Sequence, residues 1–506
     1  NFTKEAAKEI AAFSLPLLQK MVDYSILKRS PRGRYSLHPL LRQYLQKCHE
    51  TQPEERHATR MQFCKYYSQT LYNLGQMLWG ESFQDAIQLI NEELDNIHLA
   101  ATWACELLHQ DLLEELLHTL DLFYRGSRRF QEGHELFQSC RLALHAHPSG
   151  LDPIIEHRFL ARQAFMDCFL RNYTSATEAF QQTLDFFTTS ASAKDICYSL
   201  NGLGHTAAYI GELKQAQDYL QRALAVTEDH AHDLNFAPLR YDTLYRLSYV
   251  LVRQGQLDES RVVCEEGLEV ARQLGNPDRI AAFLQNYGTL ELLSGNYIDA
   301  VRYFHEAEEY YQMLGDEWQL AICYINLGDA FNKQGKFREA DSWFSQAQNL
   351  CKRLNYEWGL LNVLIDRSYA RIRQGKVQQT RKELVEALAY CLRLKSNPLM
   401  IDTLVCIAHV LHTEQLTKES RKILVILNNQ RLPRPDMRDL LEDLKQSLEF
   451  PQFKAIPMQS DQDKLVAFSR SLLAQLKARW GVTKLPKITT HSSIPTIKAI
   501  RTRSFR

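Results

Sequence analysis

A glycine followed five places later by a small residue recurs along this chain at an almost fixed interval. It reads Gly211-Glu-Leu-Lys-Gln-Ala216, Gly255-Gln-Leu-Asp-Glu-Ser260, Gly295-Asn-Tyr-Ile-Asp-Ala300, Gly335-Lys-Phe-Arg-Glu-Ala340 and Gly375-Lys-Val-Gln-Gln-Thr380. The intervals are 44 residues, then 40, 40 and 40. A degenerate copy, Arg171-Asn-Tyr-Thr-Ser-Ala176, lies 40 residues before Gly211, and weaker ones lie at Arg128-Arg-Phe130 and Glu414-Gln-Leu416. A sustained period of this length means one supersecondary unit used repeatedly, each copy unable to bury its apolar face alone. About eight units are expected between roughly 115 and 430.

The physics of one unit is legible in Tyr324-Ile-Asn-Leu-Gly-Asp-Ala-Phe-Asn-Lys-Gln-Gly335. Apolar residues at three- and four-residue spacing predict an amphipathic helix. Gly335 ends it, because glycine enters the left-handed region without a Cβ penalty. A second helix from Phe337 carries Ala340, Phe344 and Ala347 on one face. Ala340 is small enough for the two helices to approach closely, Gly328 relieves the crossing, and Phe344 is expected to fill the gap to the next unit.

These residues resemble the tetratricopeptide repeat (TPR). Leu327-Gly328, Phe331, Ala340, Phe344 and Ala347 match its spacing. So do Gly288, Ala300, Phe304 and Ala307 in the preceding unit, and Gly204, Ala216, Leu220 and Ala223 in an earlier one. The resemblance covers roughly 300 residues and implies an all-α, superhelical solenoid of helical hairpins. The unit here is longer than the family's 34 residues. Longer helices and loops absorb the surplus, in segments such as Leu314-Gly-Asp-Glu-Trp318 and Leu354-Asn-Tyr-Glu-Trp358.

Residues 15–50 break the pattern. Leu15 to Leu27 reads as a helix running into an apolar end, and Lys28 to Arg34 as a basic turn with Pro31 and Gly33. Tyr35-Ser-Leu37 reads as a short strand, and Pro39 to Leu45 as the start of another helix. The order is similar to the small winged-helix module that closes the nucleotide-binding region of bacterial STAND-type (NB-ARC-like) signalling ATPases. There, a Met-His-Asp motif opens the last helix and its histidine contacts bound ADP. The matching residues are Leu37-His38-Pro39, so the resemblance makes His38 a nucleotide contact only if a nucleotide-binding domain lies upstream. No G-x-x-x-x-G-K-[ST] string occurs in this chain to cradle phosphates. The expected organisation is a winged-helix-like module at 1–50, a helical arm at 51–112, repeats at 113–430, a proline-rich connection and capping helix at 431–480, and a basic tail at 481–506. The capping helix would bury Leu465, Phe468, Leu472, Leu473 and Leu476.

Charge and composition narrow the function. Sixty Lys and Arg balance sixty Asp and Glu, so no acidic partner is advertised overall. From Lys477 to Arg506, however, there are eight basic residues and no acid. Such a tail could meet phosphates, and a DNA-binding regulator using winged helix and tail is the alternative reading, with nucleic acid as partner. Eleven scattered cysteines without a C-x-x-C pair read as buried thiols, which suits a reducing, cytosolic compartment. No apolar run approaches the roughly 20 residues of a membrane span.

Nothing in the sequence reads as a catalytic or metal centre. His145/His147 and His230/His232 lack helical ligand spacing, and no G-x-S-x-G elbow occurs. No cofactor is expected. The candidate contacts are positions on the first helix of each pair, which in the resembling family lines a concave groove. They are Tyr245, Arg246, Tyr249 and Arg253, then Gln285 and Asn286. Asn326, Asp329 and Lys333 follow, then Asp366, Tyr369 and Arg373. Amide, aromatic and charged groups together suit a protein or peptide partner. The carboxylate clamp of chaperone-binding TPR proteins is not reproduced. The expectation is a protein-interaction or sensor module, with no enzyme activity of its own.

Overall fold

The computed structural model describes residues 1–38, 40, 41, 43–45, 53–78, 82–146, 153–190, 192–233, 236–427, 435–449 and 462–482. The chain forms two compact units: residues 1–250 with 269–278, and residues 251–268 with 279–506. Among the described residues both are helical, apart from one two-stranded antiparallel sheet in the first.

The first unit opens with α1 (Lys4–Ala11) and α2 (Leu15–Asp23), each started by a hydroxyl cap. Thr3 Oγ1 accepts from Ala6 N at 3.1 Å, and Ser14 Oγ from Leu17 N at 3.4 Å. Strands β1 (Leu27–Arg29) and β2 (Tyr35–Leu37) pair with Leu27 opposite Leu37 and Arg29 opposite Tyr35. Lys28 and Arg29 therefore belong to a strand rather than to the expected basic turn. Leu27 is buried, and alternation pins it inward beside Tyr35, Leu18 and Ala7 in a small core. Arg34 leaves the hairpin to pair with Glu93 at 2.5 Å. Glu93 lies on α4 (Phe83–Glu106), which packs with α3 (Pro53–Met77).

Helical hairpins follow. In the first unit they use α5 (Gln110–Ser127), α6 (Phe130–His145), α7 (Pro153–Phe169), α8 (Tyr173–Ser190), α9 (Ala193–Ile210) and α10 (Leu213–Glu228). Helices α11 (Ala237–Gln254), α12 (Leu257–Gln273) and α13 (Pro277–Ser294) run across the boundary. The second unit continues with α14 (Tyr297–Leu314), α15 (Glu317–Lys333), α16 (Phe337–Arg353), α17 (Glu357–Arg373), α18 (Arg381–Leu394), α19 (Asn397–Thr413) and α20 (Thr417–Leu427).

The recurrent glycine closes the first helix of its pair, as the sequence predicts. Gly211, Gly255, Gly295, Gly335 and Gly375 have φ between 74° and 100°. The degenerate copies keep the same geometry without glycine: Arg128, Arg171 and Gln415 have φ of 60°, 68° and 63°. Gly328 has a different purpose. A Cβ there would lie 2.5 Å from Phe344 Cε1, so the ring occupies the space a side chain would need. Phe344 thus packs onto the first helix of its own hairpin, where the sequence suggested the gap to the next. The surplus over a 34-residue repeat goes into helices of 17 and 18 residues. Asp316 then starts α15 by accepting from Trp318 N and Gln319 N, both at 3.0 Å.

Two segments depart from expectation. After Gly375 the chain makes a 3-10 turn, Val377–Thr380, before α18. Buried Thr380 bonds back to Val377 O at 2.7 Å, a local hydrogen bond that competes with helix entry. The proline-rich connection is not irregular throughout. Helix α21 (Pro435–Ser447) begins at a proline, where the missing N–H costs nothing. It buries Met437, Leu440, Leu441 and Leu444. Helix α22 (Gln462–Arg479) then packs on α18, burying Leu465, Leu472 and Leu476, with Phe468 and Leu473 half-buried. Of the basic tail, residues 483–506 lie outside the described residues.

Candidate ligand-binding face

In the first unit the first helices of successive pairs, α5, α7, α9 and α11, bring aromatic and charged side chains together. The register is the repeat period. Phe165, His205 and Tyr245 stand 40 residues apart, and so do Phe169, Tyr209 and Tyr249. Residues four apart share a helix face, so the two series lie side by side. The Tyr209 and Tyr249 rings are 6.4 Å apart, those of Tyr173 and Tyr209 6.1 Å, and those of His205 and Tyr209 4.6 Å. The result is an aromatic ladder crossing the helices.

Around the ladder sit four arginines. Arg125 on α5 pairs with Asp121 at 3.4 Å and with Asp242 of α11 at 3.6 Å. Arg158 on α7 pairs with Asp195 of α9 at 2.9 Å and with Glu114 at 2.8 Å. Arg162 lies 3.9 Å from Asp195, with its guanidinium 3.9 Å from the centre of the Tyr198 ring. Arg246 is different. It donates to Nδ1 of His205 at 2.5 Å and lies 5.1 Å from the Phe165 ring, which also carries Arg125 at 5.3 Å. Both are cation–π contacts.

The electrostatics follow from this placement. Burial, then Arg246 and Arg125, holds the His205 pKa well below the usual histidine value. His205 is therefore neutral, and because arginine can only donate, its Nδ1 is the acceptor and Nε2 carries the proton. Burial works against the Arg125 cation, but Asp121 and Asp242 outweigh it and raise its pKa. For Arg246 the balance is reversed. Burial, joined by nearby Arg125, lowers its pKa, and Asp242 does not compensate. Tyr245 is pushed up to about 12, by burial first and Asp278 next, so its hydroxyl stays protonated.

Of the residues chosen from sequence, Tyr245, Arg246, Tyr249 and Arg253 are half-buried on α11. In the second unit Gln285 is half-buried on α13, while Asn286 beside it is buried. On α15, Asn326 is buried and Asp329 and Lys333 are half-buried. On α17, Asp366 and Tyr369 are buried, and exposed Arg373 pairs with Asp443 at 3.0 Å. Asn286, Asn326, Asp366 and Tyr369 are thus not the exposed positions that sequence implied. Neighbouring helices cover them, as where Asn332 of α15 donates to Asp366 O of α17 at 3.4 Å. The sequence reading missed Arg125, Arg162, Phe165, His205 and Tyr209. Projecting Tyr245 and Tyr249 back by 40 residues would have found His205 and Tyr209.

His38 is exposed, and its Nδ1 accepts from Leu40 N at 3.3 Å, so it caps the start of the following helix. Among the described residues no cluster of three or more metal-ligating side chains occurs, and no helix is long and apolar enough to cross a membrane.

Stacked helical hairpins whose first helices present such side chains define a helical-repeat protein. Residues 240–313 and 280–353 match the tetratricopeptide repeat family, so that segment carries tetratricopeptide repeats. No curated protein matches the sequence. Among solved structures the chain is similar to a Signal Transduction ATPase with Numerous Domains (STAND) protein with a tetratricopeptide repeat sensor, from Pyrococcus horikoshii. The TM-score is 0.66 at 14% identity, over 88% of this chain and 63% of that one. The chain thus spans under two thirds of that protein's length. It is also similar to the apo form of the quorum sensor NprR from B. thuringiensis, with a TM-score of 0.50 at 13% identity, over 72% of this chain and 97% of that one. At these identities the likeness is one of fold.

Proposed function

We propose that this chain is a sensor module that holds a peptide or protein segment against the first helices of its repeats, and that it is the regulatory half of a STAND-type signalling protein. One observation carries the first part. Tyr209, Tyr245 and Tyr249 lie half-buried on the first helices α9 and α11 together with Arg246, whose guanidinium rests against the buried Phe165 ring of α7. Large aromatics and arginine are the side chains that carry binding energy at protein surfaces. One fold neighbour carries a tetratricopeptide repeat sensor and the other is a quorum sensor, which agrees with this reading.

The STAND assignment draws on the first 45 residues. Two short helices and an antiparallel hairpin there fit the winged-helix reading; Leu15, Leu17 and Tyr24 at the second helix are exposed, as are Leu40, Tyr44 and Leu45 after the hairpin. An apolar surface of that kind suits cover by a further domain. The repeats beyond then read as about eight hairpins.

Two measurements test the proposal. Random octapeptides passed over the immobilised chain are expected to yield binders that Arg246→Glu and Arg253→Glu release; no binder, or binders indifferent to every substitution on this face, would sink the sensor reading. Sequencing upstream of Asn1 is expected to find a strand followed by G-x-x-x-x-G-K-[ST]. A stop codon there would refute the STAND assignment and leave a free-standing TPR adaptor.

A further inference from the structure

Three of the four arginines beside the aromatic ladder are answered by carboxylates. Arg125 has Asp121 and Asp242, Arg158 has Asp195 and Glu114, and Arg162 has Asp195. Arg246 has none within ion-pair distance among the described residues. Its single protein hydrogen bond goes to a neutral imidazole, and its Nε is shut off from solvent without an acceptor. A half-buried guanidinium left in this condition is costly, because desolvation is not offset by an opposite charge. Asp242, one turn earlier on α11, attracts the Arg246 cation from beyond ion-pair distance without offsetting its burial, and His205 offers only a lone pair.

We infer that Arg246 is the anchor for a carboxylate of the peptide ligand, with the adjoining ligand side chain laid on the Tyr209–Tyr249 ladder. This rests on the peptide-sensor reading above and names the chemistry that reading lacks. A carboxylate matches the planar fork of a guanidinium and forms charge-assisted hydrogen bonds with it, roughly twice as strong as neutral ones. It also supplies the charge that the site is missing. The pieces are held in advance. Phe165 backs the guanidinium on one side, and His205 fixes one nitrogen, so little side-chain freedom is lost on binding. The half-buried Tyr209 and Tyr249 rings, 6.4 Å apart and 21° from parallel, offer aromatic surface near the guanidinium. A C-terminal carboxylate and an acidic side chain share this chemistry.

The test uses the full chain and two synthetic libraries of random octapeptides, one with a free C-terminal carboxylate and one capped as the amide. If the terminus is the anchor, the free-acid library alone yields binders. If a side chain is, both libraries yield binders with Asp or Glu at one shared position. In either case Arg246→Gln is expected to weaken the best octapeptide at least tenfold by fluorescence anisotropy, and Arg246→Lys by less. Unchanged helical content and melting temperature would show that Arg246→Gln keeps the fold. Should it not fold, the comparison of acid with amide on the unaltered chain still decides. Binders with no carboxylate, or with affinity unmoved by Arg246→Gln, would overturn the carboxylate anchor and leave the sensor reading standing. No binder from either library would overturn both.

Discussion

Nη1 of Arg246 donates to Nδ1 of His205 at 2.5 Å, joining two adjacent repeats at the same register. The bond requires a neutral imidazole, and burial with two nearby arginines keeps it so. His205→Gln retains an acceptor, and its cost should stay within about 1 kcal/mol. His205→Lys sets a third cation beside Arg246 and Arg125 and should cost of order 2–3 kcal/mol, below the range for a fully buried unpaired charge. Urea midpoints of the two variants measure the difference. Equal stability would mean the site tolerates added positive charge.

The packing of Phe344 on Gly328 sets a second test. Alanine gains about 1 kcal/mol of helix propensity over glycine. Against that, its Cβ would sit 2.5 Å from the ring, and overpacking costs about 1–3 kcal/mol. Gly328→Ala should therefore destabilise by up to about 2 kcal/mol. Phe344→Leu in that background should return part of the loss, because the two positions share one space. Destabilisation that simply adds in the double variant would refute the steric account.

Gln415 holds the position that glycine holds in the better-formed repeats, at φ 63°. A left-handed non-glycine residue costs roughly 1–2 kcal/mol. Gln415→Gly should raise stability by about 1 kcal/mol, some of the gain being spent on unfolded-chain entropy. The reverse change at an equivalent site, Gly335→Ala, should lower it. A loss of stability in Gln415→Gly would show that the glutamine side chain matters more than its backbone.

His409 on α19 is half-buried, and its pKa is lowered to about 4, by burial first and the neighbouring His412 next, with Asp443 opposing and Arg373 adding. Between about pH 6.5 and 4 the unfolded chain binds a proton there that the folded chain does not. Stability from this group therefore falls as pH drops through that window and levels off below it. The loss should be of order 2 kcal/mol, and His409→Gln should flatten that part of the profile. Melting temperatures from pH 7 to 4 on both chains provide the check. Parallel profiles would remove His409 as the cause.

Local chemistry made the hairpins readable. The five glycines announced where first helices stop, and Ala340, Phe344 and Gly328 announced a close crossing, because both effects act within one repeat. Helix α21 escaped notice because its prolines suggested a break, although one of them merely begins the helix. Burial of Asn286, Asn326, Asp366 and Tyr369 was hidden for another reason. Periodicity tells which side of a helix faces away from its own partner, but not how far the next hairpin covers that side.

The sequence by itself determined the repeat, its period, the class of fold and the helix stops, since the period is written in the recurring residues and each hairpin's stop and crossing depend on residues less than one period apart. Only the tertiary structure decided the character of the aromatic and arginine face. Whether an arginine is neutralised depends on which carboxylates reach it from other repeats, and Asp242 pairs with Arg125 while among the described residues no carboxylate comes within ion-pair distance of Arg246. Coulomb energy depends on distances in space, and nothing in a 40-residue period records them.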